Sequence, residues 1–210
     1  MHRYAHIERS GPELADARAV PVLVHGRDQD EQVMLDVARR LDLPDVSYLL
    51  PVAAARTWYP ARYFDLRSEN EPSLMMSLRA IEGTLMLAGR AGVPDERIVL
   101  AGFSQGACLI ADHVATAGRR PYAGAAILTG SLTGSAEERA TPDVAPGLPI
   151  VCASSRYDEW VSLADARATA DAFGAAGADV RWLELDDRVH HVSDRAVDAL
   201  RELLTAIAPR

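Results

Sequence analysis

Apolar residues fall into two alternating patterns along the chain. The first is a short unbroken run bounded by turn residues: Val20 to His25, Val46 to Leu50, Ile98 to Ala101, Ala125 to Thr129 and Pro149 to Ser154. A strand that is apolar on both faces belongs in the covered middle of a sheet, so these runs predict central strands. Pro51 is expected to stop the second of them. Tyr4 to Glu8, closed by Gly11-Pro12, predicts an edge strand, and Asp179 to Leu185 a last one. The second pattern has helical spacing. It covers Glu31 to Leu41, then Leu74, Leu78, Ile81 and Leu85, then Ala107 to Ala117. Ser68 or Asn70 is the expected cap of the second of these helices, with Pro72 in its first turn. Ser162 and Asp165 form a capping-box pattern that opens a helix to about Ala176, with Gly177 behind it. Ser193 or Asp194 caps the last helix, carried by Val197, Leu200, Leu204 and Ile207. Strands alternating with helices in this way predict an α/β protein with a mostly parallel sheet and helices on both faces. No repeat or linker interrupts it, so residues 1–210 read as a single domain.

Two stretches fit neither pattern. Residues 53 to 70 hold Trp58, Tyr59, Tyr63 and Phe64, in a chain with only 3 Trp, 6 Tyr and 3 Phe. Such a cluster in a long loop either caps the core or lines a pocket bordering the active site. Gly130 to Gly147 is rich in Gly, Ser, Thr and Pro and reads as a surface loop. Its beginning, Gly130-Ser131-Leu132, lies at a strand's C-terminal end, which makes Leu132 a further candidate for the pocket.

Composition narrows the class. With 210 residues the chain can bury a core without metal or disulfide staples. The formal net charge is -8, and no basic block stands out, so nucleic acid is not an expected partner. Cys108 and Cys152 both sit in apolar elements and read as reduced, buried small hydrophobes. The first residues lack the apolar core of a signal peptide, and no run is long enough to span a bilayer, so a soluble, cytoplasmic protein is expected. All 22 basic residues are arginine; with no lysine there is no phosphate-binding P-loop, which argues against nucleotide chemistry.

The chemistry concentrates after the third central strand, where Gly102-Phe103-Ser104-Gln105-Gly106 follows Ile98 to Ala101 and precedes a helix. G-x-S-x-G between strand and helix is the pattern of a nucleophile elbow. The turn forces Ser104 into a strained backbone and lifts its hydroxyl, and side chains at Gly102 or Gly106 would collide with the neighbouring strand and helix. A serine hydroxyl needs a base to take its proton and an acid to orient that base. In open α/β sheets such groups gather beyond the strand C-termini, in the chain order serine, acid, histidine. Asp158, on the loop after Pro149 to Ser154, is the preferred acid over Glu159 and Asp187. His190 and His191 follow the last strand, and spacing does not separate them. His25 reads as a hydrogen-bonded structural histidine, His113 is carried away from the rim by its helix, and His2 and His6 read as surface residues. No histidine pair has metal-ligand spacing with acids, so no metal is expected. Main-chain N–H groups of Gln105 and of Arg27, after the first central strand, are the expected oxyanion hole.

With VLVHG (Val22 to Gly26), TWYP (Thr57 to Pro60), GFSQGA (Gly102 to Ala107), ASSRYDEWV around Asp158 and VHHVS around His190, residues 18 to 207 resemble the phospholipase/carboxylesterase family of small α/β-hydrolases. The resemblance implies Ser104 as nucleophile, Asp158 as acid and His190 as base, since the family pattern is a histidine, one variable residue, an apolar residue and often serine. It also implies a carboxylic ester or thioester substrate, no cofactor, a cytosolic setting and a possible homodimer. Departures bear on specificity. Arg27-Asp28-Gln29-Asp30 stands where the family commonly has a glycine, which places charge beside the oxyanion hole and suggests a short-chain or polar substrate. Arg156 and Glu159-Trp160 flank the acid where glycine and proline are common, and Trp160 is a candidate pocket residue. Arg188-Val189 precede the histidine in place of glycine. The rival readings are a thioesterase or acyltransferase/cyclase using the same triad, and a non-catalytic binding protein on a hydrolase scaffold.

Overall fold

The structure, a computed structural model, describes residues 4–208. Seven strands form one sheet in the order β1-β3-β2-β4-β5-β6-β7. They are β1 (Tyr4–Ser10), β2 (Val20–Val24), β3 (Tyr48–Ala53), β4 (Ile98–Phe103), β5 (Gly124–Leu128), β6 (Pro149–Ser155) and β7 (Asp179–Leu185). Only β1 is antiparallel, on the edge beside β3; every other neighbouring pair is parallel. Strands β2 to β5 are buried along their whole length, because helices cover both faces. Along β4, Ile98 and Leu100 join one core with α3 (Ser73–Arg90), α4 (Gln105–Thr116) and α5 (Leu163–Ala175). Val99, Ala101 and Phe103 join the other, with α1 (Glu31–Leu41) and α6 (Asp194–Thr205). Side chains alternate across a strand, so one apolar run supplies both cores. His2 lies outside the described residues.

Helix ends follow their sequence signals at several places. The Ser162 hydroxyl caps α5 as expected, accepting from Asp165 N–H at 3.1 Å and donating to its Oδ2 at 2.7 Å, but the box is not closed, since Ser162 N–H donates to the Tyr63 hydroxyl and not to Asp165. Ser193, rather than Asp194, caps α6 by accepting from Ala196 N–H; Asp194 instead pairs with Arg40 on α1.

Three expectations need correction. Strand β3 runs through Pro51 to Ala53 instead of stopping there. The ladder from β2 reaches only Val22↔Leu49, so no donor is required of the proline on that side. Neither Ser68 nor Asn70 caps α3. They belong to the short α2 (Arg67–Asn70), and the buried Asn70 amide accepts from Ala61 N–H at 2.8 Å and donates to Arg62 C=O at 3.0 Å. The loop that opens at Gly130 is not a surface loop at its start, since Ser131, Leu132 and Thr133 are buried. Asp112 of α4 fixes that part: its carboxylate accepts from Thr133 N–H at 3.0 Å and from the Thr133 hydroxyl, and the Arg67 guanidinium neutralises it at 3.0 Å.

Candidate active site

Strand β4 delivers Ser104 to the sheet rim with φ 55° and ψ -121°, a backbone that L-residues adopt only when their surroundings impose it. Close packing imposes it here. A Cβ on Gly102 would lie 2.4 Å from Gly106 C=O, and one on Gly106 would lie 2.2 Å from Val24 C=O. Strand β2, strand β4 and helix α4 thus meet at glycine-only distances. Ser104 stands at the N-cap of α4 but its hydroxyl makes no capping bond. It is turned to His190 instead, with 2.8 Å between Oγ and Nε2.

His190 is held from the other side. Its Nδ1 lies 2.6 Å from Asp158 Oδ2. A carboxylate only accepts, so Nδ1 carries the proton and Nε2 is left to accept from the serine hydroxyl. The Phe103 ring packs against the imidazole, centroid to centroid 4.7 Å. Asp158 has a 1 % exposed side chain, and its Oδ1 accepts from Trp160 and Val161 N–H, each at 2.9 Å. Burial pushes this carboxyl's pKa up, but the hydrogen bonds from His190, Val161 and Trp160 outweigh it and hold the pKa below the ordinary aspartate value. The rival acids are placed elsewhere. Glu159 is exposed on the cavity wall, and Asp187 accepts from the Ser155 hydroxyl and faces His191, not His190.

A cavity of about 500 Å³ opens beside these groups. Tyr59, Tyr63, Phe64, Val161 and Trp160 give it apolar walls, Cys108 lies among its lining residues, and Asp28, Arg62, Asp65 and Glu159 make part of it polar. Trp160 is 66 % exposed and Phe64 41 %. Of the aromatic cluster, then, Tyr59, Tyr63 and Phe64 line the cavity. Trp58 does not: it is in the core, its indole N–H donating to His25 C=O at 2.8 Å. Leu132 is likewise a core residue and not a pocket residue. Neither distinction was available from local sequence, because a tryptophan or leucine in a loop follows no periodicity.

Arg27 and Gln105 both border the cavity. The N–H of Gln105 is the first of α4 and has no intrahelical acceptor. Among the described residues the Arg27 N–H has no backbone acceptor either. The Arg27–Asp30 stretch is less of a charged cluster than its sequence suggests. Asp30 caps α1, the Gln29 amide accepts from Gly26 N–H, and the Arg27 guanidinium turns to main-chain carbonyls. Only Asp28 is left exposed. His25 cannot serve as a base: its Nδ1–H donates to Gly26 C=O and its Nε2 accepts from Ala53 N–H. Burial pushes the Cys108 thiol up to about 12, so it is protonated and unreactive at neutral pH. Among the described residues no cluster of three or more His, Cys, Asp or Glu is arranged to hold a metal ion, and no helix is long and apolar enough to cross a membrane. What the motif did not reveal is the work of two of its side chains: Phe103 packs against the imidazole, and Gln105 is 6 % exposed at a helix start. A long amide buried in the first turn of an apolar helix is the signal that could have singled out the latter.

Comparison with known proteins agrees with this architecture. The crystal structure of a phospholipase/carboxylesterase from Dyadobacter fermentans superimposes with a TM-score of 0.88 at 24% identity, over 97% of both chains. That of a carboxylesterase from Mesorhizobium loti gives 0.72 at 20% identity, over 91% of each. In sequence, acyl-protein thioesterase 1 of Cryptococcus neoformans is 29% identical over an alignment of 119 residues, with 49% of this chain and 50% of that protein covered. The match thus spans about half the length of this curated relative. Residues 12–208 match the family model described as phospholipase/carboxylesterase, and the chain belongs to that family.

Proposed function

We propose that the protein is a serine hydrolase that cleaves a short-chain or polar carboxylic ester through an acyl-enzyme. Ser104 attacks the ester carbonyl as His190 takes its proton, and Asp158 keeps the imidazole in the required tautomer and offsets its positive charge. Collapse of the tetrahedral intermediate releases the alcohol, protonated by His190. A water that gives its proton to His190 then frees the acid and restores the serine. The N–H groups of Arg27 and Gln105 stabilise the oxygen that becomes negative. The observation that carries this reading is the continuous chain of hydrogen bonds from Asp158 through His190 to the uncapped Ser104 hydroxyl, at 2.6 and 2.8 Å. Family membership supports esterase chemistry of the serine-hydrolase type. A cavity of about 500 Å³ with Asp28, Asp65 and Glu159 in its lining supports a short or polar acyl group over a long neutral one. Two unpaired, buried cysteines are consistent with a cytoplasmic setting.

A fluorophosphonate probe tests the nucleophile. Wild type is expected to be labelled, Ser104→Ala not at all, and His190→Ala far more slowly. Labelling that survives Ser104→Ala would contradict the assignment.

A further inference from the structure

Tyr59, Pro60 and Ala61 border the cavity, and side chains from distant elements supply hydrogen-bond partners for the main chain from Trp58 to Ala61. Gln105 accepts from Trp58 N–H at 2.9 Å and donates to Tyr59 C=O at 2.7 Å. The Arg27 guanidinium donates to the carbonyls of Tyr59, Pro60 and Ala61 at 3.0, 2.8 and 2.5 Å. These two residues also carry the main-chain N–H groups assigned above to the oxyanion hole. One sits in the loop after β2 and the other at the start of α4, and their side chains converge on a single acceptor, the Tyr59 carbonyl.

We infer that the side chains of Arg27 and Gln105 are positioning residues that set the spacing of the oxyanion hole by cross-linking its two halves through the Tyr59 carbonyl. The inference rests on the Ser104 esterase reading. Its physical basis is that an oxyanion donor works only when aimed in advance at the position the oxygen will occupy, and the Arg27-Asp28 turn lies beyond the β2 ladder, with Asp28 N–H donating to Arg56 C=O at 2.7 Å as its main-chain tie. Three carbonyl dipoles around the guanidinium offset part of its charge and restrain it. The alternative, that Arg27 grips a substrate carboxylate through a two-pronged pair, conflicts with its hydrogen-bond inventory. Each forked face of a guanidinium uses an Nη2 hydrogen, and here Nη2 already donates to both Tyr59 and Ala61. Three of the five guanidinium donors beside the oxyanion hole are therefore directed into the protein's own backbone.

The test compares full-length wild type, Arg27→Met, Arg27→Lys, Gln105→Met and the double methionine variant on a p-nitrophenyl ester. Each also binds an alkylboronic acid, which mimics the tetrahedral intermediate, and the carboxylic acid product, which does not. Thermal melts confirm the folded fraction. Arg27→Met is expected to lower kcat about 10- to 100-fold without raising KM, the loss expected of a misplaced oxyanion donor. Boronic acid affinity falls by a similar factor while product affinity holds, and Arg27→Lys regains part of the loss. The double variant loses less than the product of the two single losses, because both act through one carbonyl. A folded Arg27→Met with unchanged kcat, with KM raised at constant kcat, or with undiminished boronic acid binding would overturn the inference. Ser104→Ala separates the two claims. Turnover surviving in that variant would remove the esterase reading itself, whereas turnover lost there but intact in Arg27→Met removes only the positioning role.

Discussion

The elbow is where single atoms decide the outcome. Gly106 approaches Val24 C=O so closely that a methyl group has no room. Gly106→Ala is therefore expected to destabilise the fold by about 1–3 kcal/mol, the usual cost of overpacking, and to depress activity beyond that loss by shifting α4. Gly83, in the middle of α3, is the contrast: a Cβ there meets nothing within 4 Å. Gly83→Ala is expected to stabilise by about 0.5–1 kcal/mol through helix propensity. Urea unfolding of both variants checks the pair, and equal effects of the same sign would contradict the packing argument. Gly102, Gly106 and Ser104 were legible in the sequence because G-x-S-x-G encodes the local crowding directly. His190 was not separable from His191 by spacing alone. The difference lies in which imidazole faces Asp158 and which faces Asp187, and that depends on how the loop folds.

At the scale of elements, helix α4 joins the site to the far side of the core. Beyond the buried Asp112, its His113 ring is 3 % exposed and bonds the Tyr122 hydroxyl at 2.9 Å. Burial, aided by the nearby Arg120 and opposed by Asp95, pushes the His113 pKa down to about 4, against 6.5 for a free histidine, although Glu82 Oε1 lies 3.6 Å from its Nδ1. As pH falls, the unfolded chain takes up this proton before the folded one does. The stability contributed by the neutral ring is full above pH about 6.5 and is lost on the way to about 4, by up to about 3 kcal/mol. His113→Gln is expected to show a shallower decline of the urea midpoint between pH 6.5 and 4.5. A slope equal to wild type would contradict the assignment. Element identity was largely legible, since period and capping residues are local signals: the Ser162 cap and the apolar stripe of α6 both fold as read. The failures were positions whose fate is set by partners outside their own element. Pro51 is tolerated because of where the β2 ladder ends, Asn70 is drawn inward by Ala61 and Arg62, and Leu132 is buried with a loop that Asp112 holds.

For the molecule as a whole, the parallel order of β2, β4, β5, β6 and β7 brings the loops after β2, β4, β6 and β7 to one rim. Arg27, Ser104, Asp158 and His190 come from those four loops and border one cavity or one another. The order of the groups in sequence was legible because the fold itself dictates it, serine then acid then histidine. The shape of the cavity was not, since Tyr59, Trp160 and Cys108 meet only after folding.

The central claim is that one hydroxyl carries the acyl group. Rapid quenching of a p-nitrophenyl ester reaction, followed by tryptic mass spectrometry, measures this directly. Cleavage after Arg97 and Arg119 yields the peptide Ile98 to Arg119, in which Ser104 is the single serine, and the lysine-free chain offers no side-chain amine to acylate. The expected result is an acyl mass increment on that peptide, located at Ser104 and accumulating with the first turnover. Turnover with the increment on another residue, or with no acylated peptide at any quench time under saturating ester, would contradict the account.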